Sequence, residues 1–210
     1  MKFHCINTVG LAVAMSAVSA FATTPTIGVA SAFGRFTVNS AQVSGNANLF
    51  DGSRIRTDKA ASQLFLQNGA SVLLATNTAA TVYNDRLVLS EGAARIDNMS
   101  SLSVEADGYR VVPDDATSQA AVRMNAGTVE VASMSGAVKV FNKDGAMLTH
   151  IGAGTASAFK PGGGQSSSST SGGMSGVSGS SWAIFAAVMA SFAGLGLASA
   201  AYVNSTSSSR

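Results

Sequence analysis

Few residues in this chain have side chains that could do chemistry, and their spacing is informative. Histidine occurs twice, at His4 and His150, and cysteine once, at Cys5. His4 and Cys5 lie at the extreme N-terminus, so a processed chain keeps His150 alone. Neither a zinc site of Cys and His ligands nor a disulfide framework can then be assembled. Nucleophilic catalysis needs a serine beside a base, and His150 has no Gly-x-Ser-x-Gly elbow near it, so it reads as a half-buried structural histidine on a strand. Asp114 and Asp115 follow Pro113 in a loop, the pattern of solvated turn carboxylates, with a weak calcium contact as the alternative. Arg54 and Arg56, two apart on a strand, project from one face. There they could grip an acidic partner or polysaccharide, or form an ordinary polar sheet face. The expectation is a non-enzyme with no cofactor and no metal.

The elements that position these residues follow from uneven composition. Among 210 residues, 46% are hydrophobic and only 11% charged, which excludes a chain disordered throughout. Thirteen lysines and arginines against eleven acids leave a net charge of +2, with no basic stripe to neutralise phosphates, so no nucleic acid is expected as partner.

Lys2 and His4 precede an apolar run from Ile6 to Ala20, and Ala20-Phe21-Ala22 supplies the small residues of a cleavage site. Residues 1–22 therefore read as a signal peptide. A second uncharged apolar segment, 182–203, runs from Trp182 to Val203, with Trp182 and Tyr202 at its ends where amphipathic aromatics favour headgroups. The Gly/Ser stretch before it offers no apolar surface for packing, so it reads as a transmembrane helix followed by a short cytoplasmic tail, 204–210. Within it, Ala186, Ala190, Gly194 and Ala198 recur every four residues as a shallow ridge suited to helix packing or self-association in lipid. Residues 161–181, almost wholly Ser and Gly, read as a flexible linker.

What remains, 25–160, is one domain of short alternating segments such as Arg35-Phe36-Thr37-Val38, Ser62-Gln63-Leu64-Phe65-Leu66 and Arg86-Leu87-Val88-Leu89. Turn signals separate them, with Gly52, Gly69 and Gly92 as candidate turn glycines. No stretch keeps a 3.6-residue apolar stripe over three turns, so the domain is all-β. Gly127, Gly136, Gly145 and Gly154 fall at a strict nine-residue interval, each followed by alternating residues such as Val129/Val131 and Val138/Val140. One strand plus one turn fills such a period, so these strands stack either as hairpins of a short-strand β-sandwich or as sides of a β-solenoid-like coil.

Leu49-Phe50-Asp51-Gly52-Ser53-Arg54-Ile55-Arg56-Thr57, followed by the alternating strand Ser62 to Leu66, Asn68-Gly69 and Val72-Leu73-Leu74, resembles the FecR-type periplasmic domain. Arg86-Leu87-Val88-Leu89-Ser90-Glu91-Gly92 and Gly127-Thr128-Val129-Glu130-Val131 fit the same pattern, and the resemblance covers about residues 34–158. It implies a bacterial envelope module that receives a contact rather than catalyses a reaction. The best-known branch of that family carries a cytoplasmic anti-sigma segment before its membrane helix, and this sequence has no such segment ahead of the domain. An acid usually follows the first glycine, where Ser53 stands here. The expectation is a membrane-tethered extracytoplasmic binding or sensory module, in the periplasm or outside the cell, contacting an envelope protein or polymer. The alternative is a structural surface or matrix protein that assembles through its β domain.

Overall fold

A computed structural model describes residues 24–99, 102–160 and 179–192 of the chain. The expected signal peptide, most of the expected linker and residues 193–210 lie outside the described residues. Fourteen strands are described: β1 Thr26–Val38, β2 Ala41–Phe50, β3 Ser53–Thr57, β4 Ser62–Leu66, β5 Ser71–Leu74, β6 Ala79–Val82 and β7 Arg86–Asn98, then β8 Ser103–Ala106, β9 Tyr109–Pro113, β10 Gln119–Asn125, β11 Thr128–Ser135, β12 Val138–Phe141, β13 Met147–Ile151 and β14 Thr155–Phe159. One helix, α1, spans Gly179–Ala190.

Strict alternation drives the first half. In β3, Ser53, Ile55 and Thr57 are buried while Arg54 and Arg56 face out; in β4, Ser62, Leu64 and Leu66 turn inward. The strands close into a six-membered antiparallel ring, β1-β3-β6-β7-β5-β4, returning to β1. Two long strands make closure possible because each serves two walls. Gly28–Ser31 of β1 pairs with β4 and Phe36–Val38 with β3, the strand bending at an irregularity between Ala32 and Arg35. Strand β7 pairs with β6 as far as Glu91 and with β5 from Ala94. The bend falls at Gly92, where φ is +84°. A Cβ there would lie 2.4 Å from Thr78 Oγ1 and 2.6 Å from the Asn77 carbonyl, so glycine is required by both backbone and space.

From β7 two arms extend. One is β8-β9-β12-β13, joined to β7 through a parallel β7–β8 pair; the other is β10-β11-β14. Their inner faces meet, Val111, Val138, Val140 and Ile151 sharing a core with Val122, Val129, Val131 and Phe159. Tyr109 and Phe159 close that core with ring centroids 5.3 Å apart.

The all-β class holds, and the sheet is barrel-like. A solenoid would stack parallel strands, yet β7–β8 is the one parallel pair among the described residues. The nine-residue units also do not pair in sequence: β12 and β13 form a hairpin, whereas β11 takes β14. The chain crosses between the arms at Gly136 and again at Gly154, where φ is +69° and +73°. In the third unit a register shift between Val140 and Phe141 moves Met147 outward and leaves Ile151 buried, as one displaced residue exchanges the faces of a strand.

Helix α1 lies on the β10-β11-β14 arm. Val188 and Phe192 are buried, with Ile184 and Phe185 packed alongside, over a shelf of small side chains formed by Ala75, Ala93, Ala121, Ala132 and Ala156. The apolar surface that the Gly/Ser stretch does not offer is thus supplied by the domain's own sheet, which corrects the expectation that this segment has nothing but lipid to pack on. The helix begins at Gly179 rather than Trp182. No helix among the described residues is long and apolar enough to cross a membrane.

Candidate functional site

Strand pairing decides the surroundings of Arg54 and Arg56. Across β3, Arg56 stands opposite Thr37 of β1 and Ala79 of β6, and Arg54 opposite Thr81. The Val38–Ala41 connection places Asn39 and Ser40 at φ of +50° and +68°, the double left-handed conformation of a two-residue hairpin turn. Asn39 Oδ1 then accepts the Arg54 backbone N–H at 2.9 Å, tying the turn to β3.

Two depressions of about 530 and 310 Å³ meet at Arg56 and Thr37. The first also holds Arg35, Gln42, Asp58 and Lys59; the second adds Ser40, Arg54, Thr81 and Ser90. Arg56 forms an ion pair with Glu91 at 3.4 Å, both side chains largely exposed. Among the described residues no ion pair engages Arg35, Arg54 or Lys59. Four cations therefore stand against Asp58 and Glu91 on one outer wall of the barrel, interleaved with hydroxyl and amide side chains. Such a trough can receive a chain of anionic groups, since exposed unpaired guanidinium groups offer forked donors to carboxylate or phosphate oxygens. Lys59 follows Arg56 by three residues, whereas Arg35 and Gln42 escape a sequence reading because only the β1–β3 and β1–β2 registers bring them beside Arg56.

The other candidates fall elsewhere. His150 lies on β13 with its side chain half exposed, and its Nε2 is 3.1 Å from Asp114 Oδ2. Lys139 ion-pairs with the second oxygen of Asp114. Hydrogen bonds first from Lys139 and then from His150 hold the Asp114 carboxyl below its ordinary value of 3.8. Asp115 accepts from Thr117 instead, through its N–H at 2.9 Å and its hydroxyl at 2.7 Å, so the adjacent carboxylates serve different partners. No group of three or more metal-ligating side chains occurs among the described residues. A hollow of about 730 Å³ beside the β8–β9 turn is lined by Tyr109, Arg110, Glu105, Lys143 and Phe141 among others, with neither histidine nor hydroxyl nucleophile apart from the tyrosine. The Tyr109 hydroxyl already donates to the Lys160 carbonyl at 2.8 Å.

The candidate turn glycines Gly52, Gly69, Gly127 and Gly145 have φ of +79°, +87°, +73° and +79°. On α1, Ala186 and Ala190 are exposed, on the side turned away from the alanine shelf. Gly194 and Ala198 lie outside the described residues.

No protein-family profile and no curated protein matches the chain. Among solved structures, two crystal structures of a candidate anti-sigma factor from Parabacteroides distasonis ATCC 8503, at 2.50 and 1.65 Å, are similar at 16% identity and a TM-score of 0.44. The likeness covers 53% of this chain and 56–57% of those, so the chain spans little more than half their length. At that score it carries no argument about function.

Proposed function

We propose that this chain is a non-catalytic extracytoplasmic binding module of FecR-like design. It is delivered by residues 1–22, resides at the bacterial cell membrane, and works by contacting another component of the envelope. The trough around Arg56 is the contact surface, and the observation that carries the reading is the gathering of Arg35, Arg54, Arg56 and Lys59 on one wall with a single ion pair, Arg56–Glu91, among them. A surface of that kind selects an anionic partner, and the shallow, extended form suits a polymer or protein surface better than a small molecule. The FecR-like motifs from Leu49 to Leu74 and from Arg86 to Gly92 support the module reading. So does the placement of His150, whose hydrogen bond goes to Asp114 rather than to a hydroxyl.

Retention of the full chain on immobilised polyglutamate and polygalacturonate, with salt elution, tests this. The unmodified chain is expected to be held and to elute as salt rises. Arg54→Glu/Arg56→Glu should elute at least about tenfold earlier on an affinity scale, a loss of about 1.4 kcal/mol. Equal elution of both proteins from both polymers would overturn the assignment of the trough.

A further inference from the structure

Phe33 is 88% exposed, the most exposed large apolar side chain among the described residues. Alternation along β1 buries Ala30, Ala32, Phe36 and Val38 and turns Phe33, Arg35 and Thr37 to the outer face. The β1–β2 register shifts between Ala32 and Arg35, and an irregularity of that kind re-aims the side chains it carries. Between Phe33 and Arg35, Gly34 presses on the segment that follows β3: a Cβ at Gly34 would lie 2.4 Å from the Cβ of Ala60. Gly34 and Ala60 both line the depression that holds Arg35, Arg56 and Lys59, so Phe33 directly precedes a wall of the trough.

We propose that the trough receives an acidic polysaccharide, whose sugar rings pack on Phe33 while their carboxylates meet Arg35, Arg56 and Lys59; this rests on the anion-binding reading of the trough and names its ligand class. A uronate ring brings the matching groups together in one rigid unit. Its carboxylate accepts the forked donors of a guanidinium. Its hydroxyls match Thr37 and Gln42, which stand opposite each other in the β1–β2 register and line the same depression. Its C–H bonds, positively polarised, pack on the electron-rich face of an aromatic ring.

An acidic polypeptide matches the cations alone. Glutamate side chains carry their charge on flexible stems, which costs rotamer freedom on binding, and they offer nothing to an exposed ring. Hydroxyl side chains continue into the second depression, where Ser40, Thr81 and Ser90 share the lining with Arg54 and Arg56. Cations and hydrogen-bonding groups are thus interspersed over both depressions, as carboxylates and hydroxyls are along a chain of uronates.

Affinities of the full chain for polygalacturonate and polyglutamate, measured side by side at equal carboxylate density, test the assignment. Tighter binding to polygalacturonate is expected. Phe33→Ala should weaken binding to polygalacturonate at least about threefold and leave binding to polyglutamate unchanged, which also reports that the variant is folded. Phe33→Tyr keeps the ring and should bind polygalacturonate as the unmodified chain does. Arg54→Glu/Arg56→Glu, by contrast, should lose affinity for both polymers. A preference for polyglutamate, or an effect of Phe33→Ala that is absent or equal on the two polymers, would overturn the polysaccharide assignment and leave the trough as an anion site. Failure of the unmodified chain to bind either polymer would overturn the trough and this inference together.

Discussion

Nη1 of Arg123 donates a 2.7 Å hydrogen bond to the carbonyl oxygen of Ala187, 64 residues further along the chain. The same guanidinium binds Glu130, with Nε 2.7 Å from Oε2 and both side chains largely buried. Arg123 therefore sits on β10, salt-bridged to β11, with a donor turned to the last turn of α1. Helix carbonyls at that end lack intrahelical partners and carry partial negative charge, so a cation there satisfies both needs.

Arg123→Ala should loosen α1 and leave Glu130 partly buried without its counter-ion. Hydrogen bonds to charged groups contribute about 1.5–3 kcal/mol, which corresponds to a fall of roughly 3–12 °C in melting temperature for a chain of this size. Amide hydrogen exchange should accelerate at Ala187–Phe192 before it does in the barrel. Arg123→Ala/Glu130→Gln should lose less than the single change, since no buried charge is stranded. Slow exchange at α1 in the single variant would show that Val188 and Phe192 hold the helix without the cap.

Glycines of similar backbone conformation should differ in sensitivity. Gly92 and Gly127 both have positive φ, but a Cβ at Gly92 would collide with Thr78 and the Asn77 carbonyl, whereas at Gly127 it would meet nothing within 4 Å. Gly127→Ala should cost about 1–3 kcal/mol from backbone strain alone. Gly92→Ala adds a steric clash that rigid backbone cannot relieve, so its urea midpoint should fall clearly further. Gly136→Ala belongs with Gly92, because its Cβ would lie 2.6 Å from Ser118 Oγ and 3.0 Å from Ser118 Cα. Equal midpoints for Gly92→Ala and Gly127→Ala would contradict the packing around Thr78.

Thr57 and Thr78 join the barrel wall through buried hydroxyls. Thr57 Oγ1 donates to the Ala75 carbonyl at 2.6 Å and accepts from the Thr78 N–H at 2.8 Å, while Thr78 Oγ1 accepts from the Ala93 N–H at 3.1 Å. Thr78→Val keeps the shape and strands the Ala93 N–H in a fully buried position, at a cost of about 1–3 kcal/mol in chemical denaturation. Thr78→Ser should retain most of the stability, and a loss as large as that of valine would mean that the methyl group rather than the hydroxyl matters.

Asp114 sets a pH dependence whose sign follows from its partners. Lys139 and His150 lower its pKa in the folded chain, so its contribution is present above the ordinary carboxylate value of 3.8. That contribution is lost as pH falls through the lower folded value. Asp114→Asn should lower the urea midpoint slightly near neutrality, where the contribution of these exposed pairs is present in full but small, and leave it unchanged in strong acid, so that the acid limb flattens. An acid limb identical to that of the unmodified chain would assign the slope to other carboxylates.

The class of local structure is legible in the residues themselves. Alternation in Ser53–Thr57 and Ser62–Leu66 reports which side chains face a core, and a side chain's face on a strand depends on nothing beyond its neighbours in the chain. Turns at Gly52 and Gly69 are similarly local, since an acid or amide followed by glycine can enter the left-handed region at little cost. Partner choice is not local and emerges only when the strands assemble. The nine-residue spacing from Gly127 to Gly154 is compatible with a meander or a coil. In the fold it is neither, because β11 and β12 belong to opposite arms and must each bury valines against the other. Arg35 joins Arg56 only through the β1–β3 register, which no spacing encodes. The apolar run beginning at Trp182 shows the same division most plainly. Its hydrophobicity was legible, but hydrophobicity states only that water is to be avoided, and the alanines that cover Val188 and Phe192 come from five strands or loops distributed between Ala75 and Ala156.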